Sequence, residues 1–297
     1  MLNYRANGKL LLTSEYAITQ GAKGLAIPTR YGQTLNYKPN PTDDLIQWVA
    51  KSHTGETWFW AEFNMGLNIT GTSDQIMAQR LVDQLKVMQH RTALLDRPGI
   101  FTTELEFPSE WGLGSSSTLA SLLAQCTGTD PLTEFRKVHG GSGYDLACGT
   151  AKGPILYSLS GEKAIIEPTK INFEFTHDIG FVYSGKKQLT SESLQLVDKK
   201  PFSDTQIERF NMLTDAFLGS QTVLELETVI IEHEALISEH FGLPKVKDTH
   251  FSDFHGQAKS LGGWGGDFIL VTRLASSKKL LRKAGYKVIF PFKSLAL

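Results

Sequence analysis

The chain of 297 residues carries a formal charge of −1 with its histidines neutral, and 41% of it is hydrophobic. Proteins of nucleic acid and anionic membranes draw most of their affinity from Lys and Arg that neutralise phosphate, so the lack of a basic excess or basic run excludes both partners. The apolar content is that of a folded protein rather than a disordered chain, and the length suits one large domain or two closely packed ones.

The opening Met1-Leu2-Asn3-Tyr4-Arg5 lacks the basic region, apolar core and cleavage site of a secretion signal. Nowhere do apolar residues approach the roughly 20 that span a membrane, so a cytoplasmic protein is expected. Leu10 to Tyr37 alternates short apolar runs with small residues, as strands joined by tight turns do. Leu45 to Phe63 reads as a second strand group whose Trp48, Trp58, Phe59 and Trp60 pack a sheet. Thr72 or Ser73 is the expected N-cap of a helix with Met77, Leu81, Leu85 and Met88 on one face. Pro98-Gly99 stops that helix, and Phe101 to Phe107 alternates as a half-buried strand that runs into the Gly/Ser segment ending at Ser117. Leu119, Leu122, Leu123 and Cys126 mark the face of the next helix. Asp130-Pro131 opens a short helix towards His139, followed by Gly140-Gly141-Ser142-Gly143-Tyr144-Asp145. A strand-rich piece ends in Ile179 to Tyr183, and two helices follow, the second with Val223, Leu226, Ile230 and Ile237 in one stripe. The glycine cluster Leu261 to Asp267 precedes the strand Phe268 to Val271, a helix from Ser276 and a last strand, Lys287 to Phe290. Cys126 and Cys148 read as small buried hydrophobes of a reducing compartment.

The order strand, Gly/Ser loop, helix around Gly112-Leu113-Gly114-Ser115-Ser116-Ser117 is the most informative chemical feature. Two glycines about one residue let successive backbone N–H groups face one concavity, and the following helix adds its free N–H groups and positive dipole end, which together cradle phosphate. The serine hydroxyls suit phosphate oxygens or Mg²⁺; a Ser-rich N-cap after a tight turn is the alternative. No Gly-x-x-x-x-Gly-Lys-Ser/Thr occurs, the protein-kinase set fails where His90-Arg91 meets Thr92, and no dinucleotide glycine pattern opens a helix after the first strand. The histidine spacings at His233, His240, His250 and His255, with no cysteine nearby, do not read as zinc sites.

Three glycine clusters together with Gly8-Lys9 resemble the GHMP kinases, the superfamily of galactokinase, homoserine kinase, mevalonate kinase and phosphomevalonate kinase. Gly8 to Ile18 looks like their first motif, Pro108 to Ser117 matches the second in every specified position, and Leu261 to Asp267 is similar to the third. Gly141-Ser142-Gly143-Tyr144-Asp145-Leu146-Ala147 and Gly265-Gly266-Asp267 are most similar to phosphomevalonate kinases, with mevalonate kinases next. Three positions depart from the pattern: Asn7 stands for a proline, Ser14 for a glycine, and Trp264 interrupts the third glycine run.

The resemblance implies an α/β (α+β) protein of two domains: residues 1–165 with a mixed sheet and the nucleotide loop, and residues 166–297 as a ferredoxin-like domain, with ATP and acceptor in the cleft between them. It implies Mg²⁺-dependent transfer of the ATP γ-phosphoryl group to a small metabolite of mevalonate or phosphomevalonate type, in isoprenoid precursor synthesis. Asp145 would accept or orient the acceptor proton and Lys9 would stabilise the transferring phosphoryl group. Gly112, Leu113, Gly114, Ser115, Ser116 and Ser117 would bind the nucleotide. Glu15, Tyr16, Ser142, Gly143 and Lys186 would bind the acceptor, and Ser115, Ser116 and Glu134 the Mg²⁺. Lys186, Lys187, Arg136 and Lys137 are the cations open to a phosphorylated acceptor. A homodimer stays open, and a non-catalytic nucleotide-binding paralogue is the rival from another class.

Overall fold

The computed structural model of the protein describes residues 2–89, 91–186, 199–264 and 266–297. Lys187 and Gly265 lie outside the described residues. The chain divides by contact into two compact units, and strands β1 (Leu2–Leu11) and β2 (Gly24–Pro39) run through both.

The first unit comprises Met1–Gly8, Tyr31–Ser109 and Leu113–Thr150. Its sheet adds β3 (Ile46–Lys51), β4 (Thr57–Phe63), β5 (Ile69–Thr72) and β6 (Gly99–Leu105) to the carboxy-terminal half of β2 in the order β5-β4-β3-β6-β2. The sheet is mixed, because β3 and β6 pair parallel while the other pairs are antiparallel. Helices α1 (Gln75–Met88), α2 (Ser115–Thr127), α3 (Pro131–His139) and α4 (Tyr144–Thr150) complete it. Trp48 stacks on Phe101 within a core that holds Phe59, Phe63, Leu81, Leu85, Met88, Leu122 and Leu123. Burying such side chains contributes about 1.5–3 kcal/mol each. Strand periodicity turns Trp58 and Trp60 the other way, 48% and 41% exposed, so of the four rings only Trp48 and Phe59 join the core.

The N-cap of α1 is Asp74, whose side chain accepts from the Met77 N–H, and not Thr72 or Ser73. Those two hydroxyls are used by the sheet edge instead, both donating to the Trp60 carbonyl. α4 was not marked by any apolar period. It begins at Tyr144, directly after the glycine run.

The second unit comprises Lys9–Arg30, Glu110–Gly112 and Ala151–Leu297. The amino-terminal half of β2 pairs with β7 (Ile155–Ser160), which pairs with β8 (Lys163–Pro168). A separate antiparallel sheet holds β9 (Gly180–Tyr183), β10 (Ala258–Ser260), β11 (Phe268–Val271) and β12 (Ile289–Pro291) in the order β10-β11-β9-β12. Counted along the chain, these strands lie second, third, first, fourth, the ferredoxin-like order. Helices α5 (Asp204–Gly219), α6 (Val223–Phe241), α7 (Val246–His250), α8 (Leu274–Lys283) and α9 (Phe292–Leu295) accompany them. Ser203 and Gln206 close a capping box on α5, and Leu226, Ile230 and Ile237 bury the stripe of α6. α8 starts at Leu274, two residues before the expected Ser276, because Arg273 takes a left-handed turn there and forks its guanidinium onto Glu227 at 2.8 and 2.7 Å.

The mixed sheet and the ferredoxin-like sheet are the fold class the sequence led us to expect. Cys126 and Cys148 are free and buried, and burial pushes the Cys126 thiol up to about 12, which leaves it inert. Among the described residues no helix is long and apolar enough to cross a membrane.

Candidate functional site

Within the second unit, parts of all three glycine motifs meet at Gly112. The Lys9 ammonium donates to the Gly112 carbonyl at 2.9 Å. Gly112 has φ +67°, and a Cβ there would lie 2.3 Å from Cγ of Asp267. Asp267 is itself held by the turn after β9: its N–H donates to Lys186 O and its carbonyl accepts from Ser184 N–H, both at 2.8 Å. The Tyr183 hydroxyl donates to Glu110 O at 3.0 Å, and the Trp111 ring packs edge-on against Phe268 and Phe290. Burial raises the Tyr183 pKa, with the Glu110 and Asp267 charges adding to the effect, so the phenol stays protonated and keeps that bond. The stretch Glu110–Gly112 is thereby seated on β9, β11 and β12.

Gly112→Ala is expected to cost about 2 kcal/mol or more in a denaturant melt, since the side chain meets both a left-handed φ and the Asp267 carboxylate. Gly128 is the control. It has φ +65° with nothing within 4 Å of its Cβ, so Gly128→Ala should cost only the backbone part, about 1 kcal/mol. Equal losses in the two variants would show that Gly112 does not need the close approach to Asp267.

In the first unit, Leu113 is buried and Gly114, at φ +93°, is the N-cap of α2. Gly114 itself brings no side chain to cap this helix. The Ser117 hydroxyl turns back to donate to Gly114 O at 3.0 Å, while Ser115 is half-buried and Ser116 exposed. A helix N-terminus with glycine at the N-cap leaves room for an anion to approach its first turn. α4 is fastened beside α2: Ser121 Oγ donates to Leu146 O at 3.2 Å, and a Cβ on Gly149 would lie 2.2 Å from Ser121 Oγ. Asp145, half-buried in the first turn of α4, accepts from the Leu146 N–H at 3.0 Å. Ser142 and Gly143 before it are buried. Glu134 on α3 pairs with Arg91 at 2.6 Å. Arg136 is half-buried; Lys137 is exposed, as is Lys186 in the second unit.

The first motif forms an elbow in which Ser14 and Tyr16 have φ of +63° and +68°. Ser14 stands where the resemblance has glycine, and its hydroxyl compensates by donating to Lys23 O at 2.7 Å. Ser14 N–H donates to His233 Nε2 at 2.8 Å, Thr13 and Thr214 share a hydroxyl bond at 2.8 Å, and the Tyr16 hydroxyl accepts from Trp264 N–H at 2.8 Å. Glu15, 2% exposed, meets the fully buried ammonium of Lys259 at 2.5 Å.

Lys259 also donates to Ser260 O, and the Ser260 N–H donates to Glu234. Burial raises the Glu15 pKa and the Lys259 ammonium pulls it back. Burial holds His233 well below the usual histidine range, in agreement with an Nε2 that accepts from Ser14. Because that lone pair is occupied, the 3.4 Å approach of Glu15 Oε2 to His233 Nε2 is a contact and not an ion pair. Glu234 is pushed up to about 8 by burial, with the Lys259 ammonium opposing the rise and the Glu15 charge adding to it. Glu15 Oε2, His233 Nδ1 and Glu234 Oε2 have no hydrogen-bond partner among the described residues.

Of the residues expected from sequence, Lys9, Gly112 and the Lys186 backbone come together in one unit, and the serines, Asp145, Ser142 and Gly143 occupy neighbouring helix starts in the other. Asp267 enters from sequence only as the end of the third motif and His233 only as a histidine without zinc spacing, while Lys259 and Glu234 carry no motif. The Gly-Gly-Asp run was the one signal that pointed to any of them.

The fold is that of the GHMP kinases. The likeness extends over the whole chain: a Streptococcus pneumoniae phosphomevalonate kinase in complex with phosphomevalonate and AMPPNP superposes with a TM-score of 0.73 at 16% identity, covering 97% of this chain and 99% of that one. Methanococcus jannaschii mevalonate kinase gives 0.70 at 17% identity, over 97% and 96% of the two chains. Lactococcus lactis galactokinase complexed with galactose gives 0.66 at 14%, over 95% and 88%. No described family and no curated protein matches the sequence itself.

Proposed function

We propose that the protein is a GHMP-type small-molecule kinase, most similar in its motifs to phosphomevalonate kinase, that transfers the γ-phosphoryl group of ATP to an alcohol in isoprenoid precursor synthesis. One observation carries this reading: Lys9 is bonded to Gly112 in the glycine run that leads to the glycine-capped start of α2. A helix start of this kind accepts the phosphates of a nucleotide, and a fixed lysine beside the run supplies the cation that phosphoryl transfer needs. A nucleotide analogue and phosphomevalonate in the Streptococcus pneumoniae complex support the same assignment.

In this reading residues 112–117 hold the ATP phosphates, Lys9 neutralises charge on the transferring group, and Asp145 accepts the acceptor's hydroxyl proton. Tyr16, Ser142, Gly143 and Lys186 contact the acceptor, with Arg136 and Lys137 as further cations for a phosphorylated one. Glu15, buried and paired with Lys259, belongs to the same acceptor set. The hydroxyls of Ser115 and Ser116 and the carboxylate of Glu134 are the hard oxygen donors that Mg²⁺ takes, and Glu134 would exchange its Arg91 partner for the ion. When bound, Mg²⁺ offsets the phosphate charge. Two functional domains, 1–165 and 166–297, and a cytoplasmic location belong to this proposal.

The test is ADP release measured with mevalonate, 5-phosphomevalonate, homoserine and galactose side by side. We expect 5-phosphomevalonate to give the highest kcat/KM. Preference for mevalonate would make the protein a mevalonate kinase, and ATP binding without turnover on any of the four would make it a nucleotide-binding paralogue.

A further inference from the structure

We propose that Lys259 is a positioning residue for the Thr13–Tyr16 elbow: its ammonium, wholly buried on β10, fixes Glu15 and thereby the elbow backbone that the kinase reading assigns to the acceptor site. The inference rests on the kinase reading in so far as it assigns the elbow to the acceptor.

Two residues with left-handed φ, neither of them glycine, flank Glu15. Such conformations are strained in L-residues and persist only where the surroundings over-determine them. The ties are His233 on the Ser14 N–H, Thr214 on Thr13, Trp264 on the Tyr16 hydroxyl, and Lys259 on the carboxylate between them. These four partners come from the carboxy-terminal part of the second unit, some 200 or more positions away, and add to the local bond from Ser14 Oγ to Lys23 O.

Lys259 stands out among them because packing does not require a charge at this place. Its backbone serves the β10–β11 ladder whatever the side chain is. Its ammonium has 0% exposure, and a buried cation is costly beside an apolar side chain of similar volume. What the charge does is grip one oxygen of Glu15 at 2.5 Å and the neighbouring Ser260 carbonyl at 3.0 Å, which pins Glu15 against the end of β10. Glu15 Oε2 has no hydrogen-bond partner among the described residues, so Lys259 is the side-chain hydrogen bond that orients the carboxylate.

Lys259→Met alone leaves Glu15 buried without its counter-charge and is expected to fold poorly. The informative variant is therefore Lys259→Met with Glu15→Gln, which removes both charges. Its melting temperature should return to within a few degrees of wild type, while the acceptor KM rises at least tenfold, the ATP KM stays within twofold, and hydrogen exchange at the amides of residues 14–17 quickens at least tenfold. The acceptor is whichever of the four alcohols the wild-type chain phosphorylates. Exchange and acceptor KM both at wild-type values would overturn the proposal and leave the pair a plain structural one. Faster exchange with an unchanged acceptor KM overturns it too, and a raised KM without faster exchange overturns positioning by placing Glu15 in direct contact with the acceptor. If the wild-type chain phosphorylates none of the four, the kinase reading fails, and exchange alone decides whether Lys259 holds the elbow.

Discussion

Asn in place of Asp145 is expected to lower kcat about a thousandfold while the affinity for ATP changes no more than twofold. The expectation follows from what the substitution keeps. Asp145 Oδ1 accepts the Leu146 N–H at 3.0 Å, a bond an amide oxygen can also accept, so the first turn of α4 survives. The packing of α4 on α2 runs through Leu146, Gly149 and Ser121. What Asn loses is the charge and the capacity to take a proton from the acceptor hydroxyl. On the proposed assignment of the phosphates to the start of α2, that deficit appears in turnover and not in nucleotide binding. Single-turnover kinetics and equilibrium binding of a non-hydrolysable ATP analogue separate the two, with the melting temperature as a check on folding. A variant that lost ATP binding but kept its turnover per bound nucleotide would remove Asp145 from the role of base.

The reach of the sequence can be judged residue by residue. The Gly112–Ser117 run was legible because loop and helix start are contiguous: positive φ at Gly112 and Gly114 and the glycine-capped start of α2 are local consequences of a local string. The two-sheet fold was legible through motif order, which is a property of resemblance; composition and periodicity gave the elements but not the strand order β10-β11-β9-β12. Boundaries failed where long-range partners decide. Thr72 and Ser73 are sound N-caps in isolation, and the Trp60 carbonyl claimed them.

The elbow shows the same limit more sharply. Ser14 at a glycine position was visible as an oddity, yet its compensation lies in Lys23, His233 and Thr214. Lys259, 244 positions from Glu15, carries no motif signal of its own, because one lysine in a short strand looks like any solvated lysine. Its burial comes from packing, and no hydrophobic period records it.

The buried cluster should also set the alkaline limit of stability through Glu234. Its carboxyl is pushed up to about 8 in the folded protein, whereas an unfolded chain releases that proton near the ordinary glutamate value of about 4.5. The folded state therefore holds a proton the unfolded state lacks between these two pH values. The stability this contributes is complete below about pH 4.5 and is lost as pH rises towards 8, a loss on the order of 4–5 kcal/mol by linkage. Burial sets the rise; Lys259, the Ser260 N–H on Oε1 and Lys245 oppose it, and the Glu15 charge adds to it. His233 acts with the opposite sign. Its folded pKa is depressed, so below about pH 6.5 the unfolded chain gains a proton that the folded one refuses, and stability falls with acid. The two slopes oppose each other between about pH 4.5 and 6.5, which hides both in a simple stability profile. Glu234→Gln separates them. A Gln carbonyl still accepts the Ser260 N–H but never ionises, so the variant should match wild type near pH 5 and exceed it by several kcal/mol at pH 8.5 in denaturant melts. Parallel stability curves for the two proteins across that range would mean that Glu234 is ionised in the folded state, with Lys259 shared between both carboxylates.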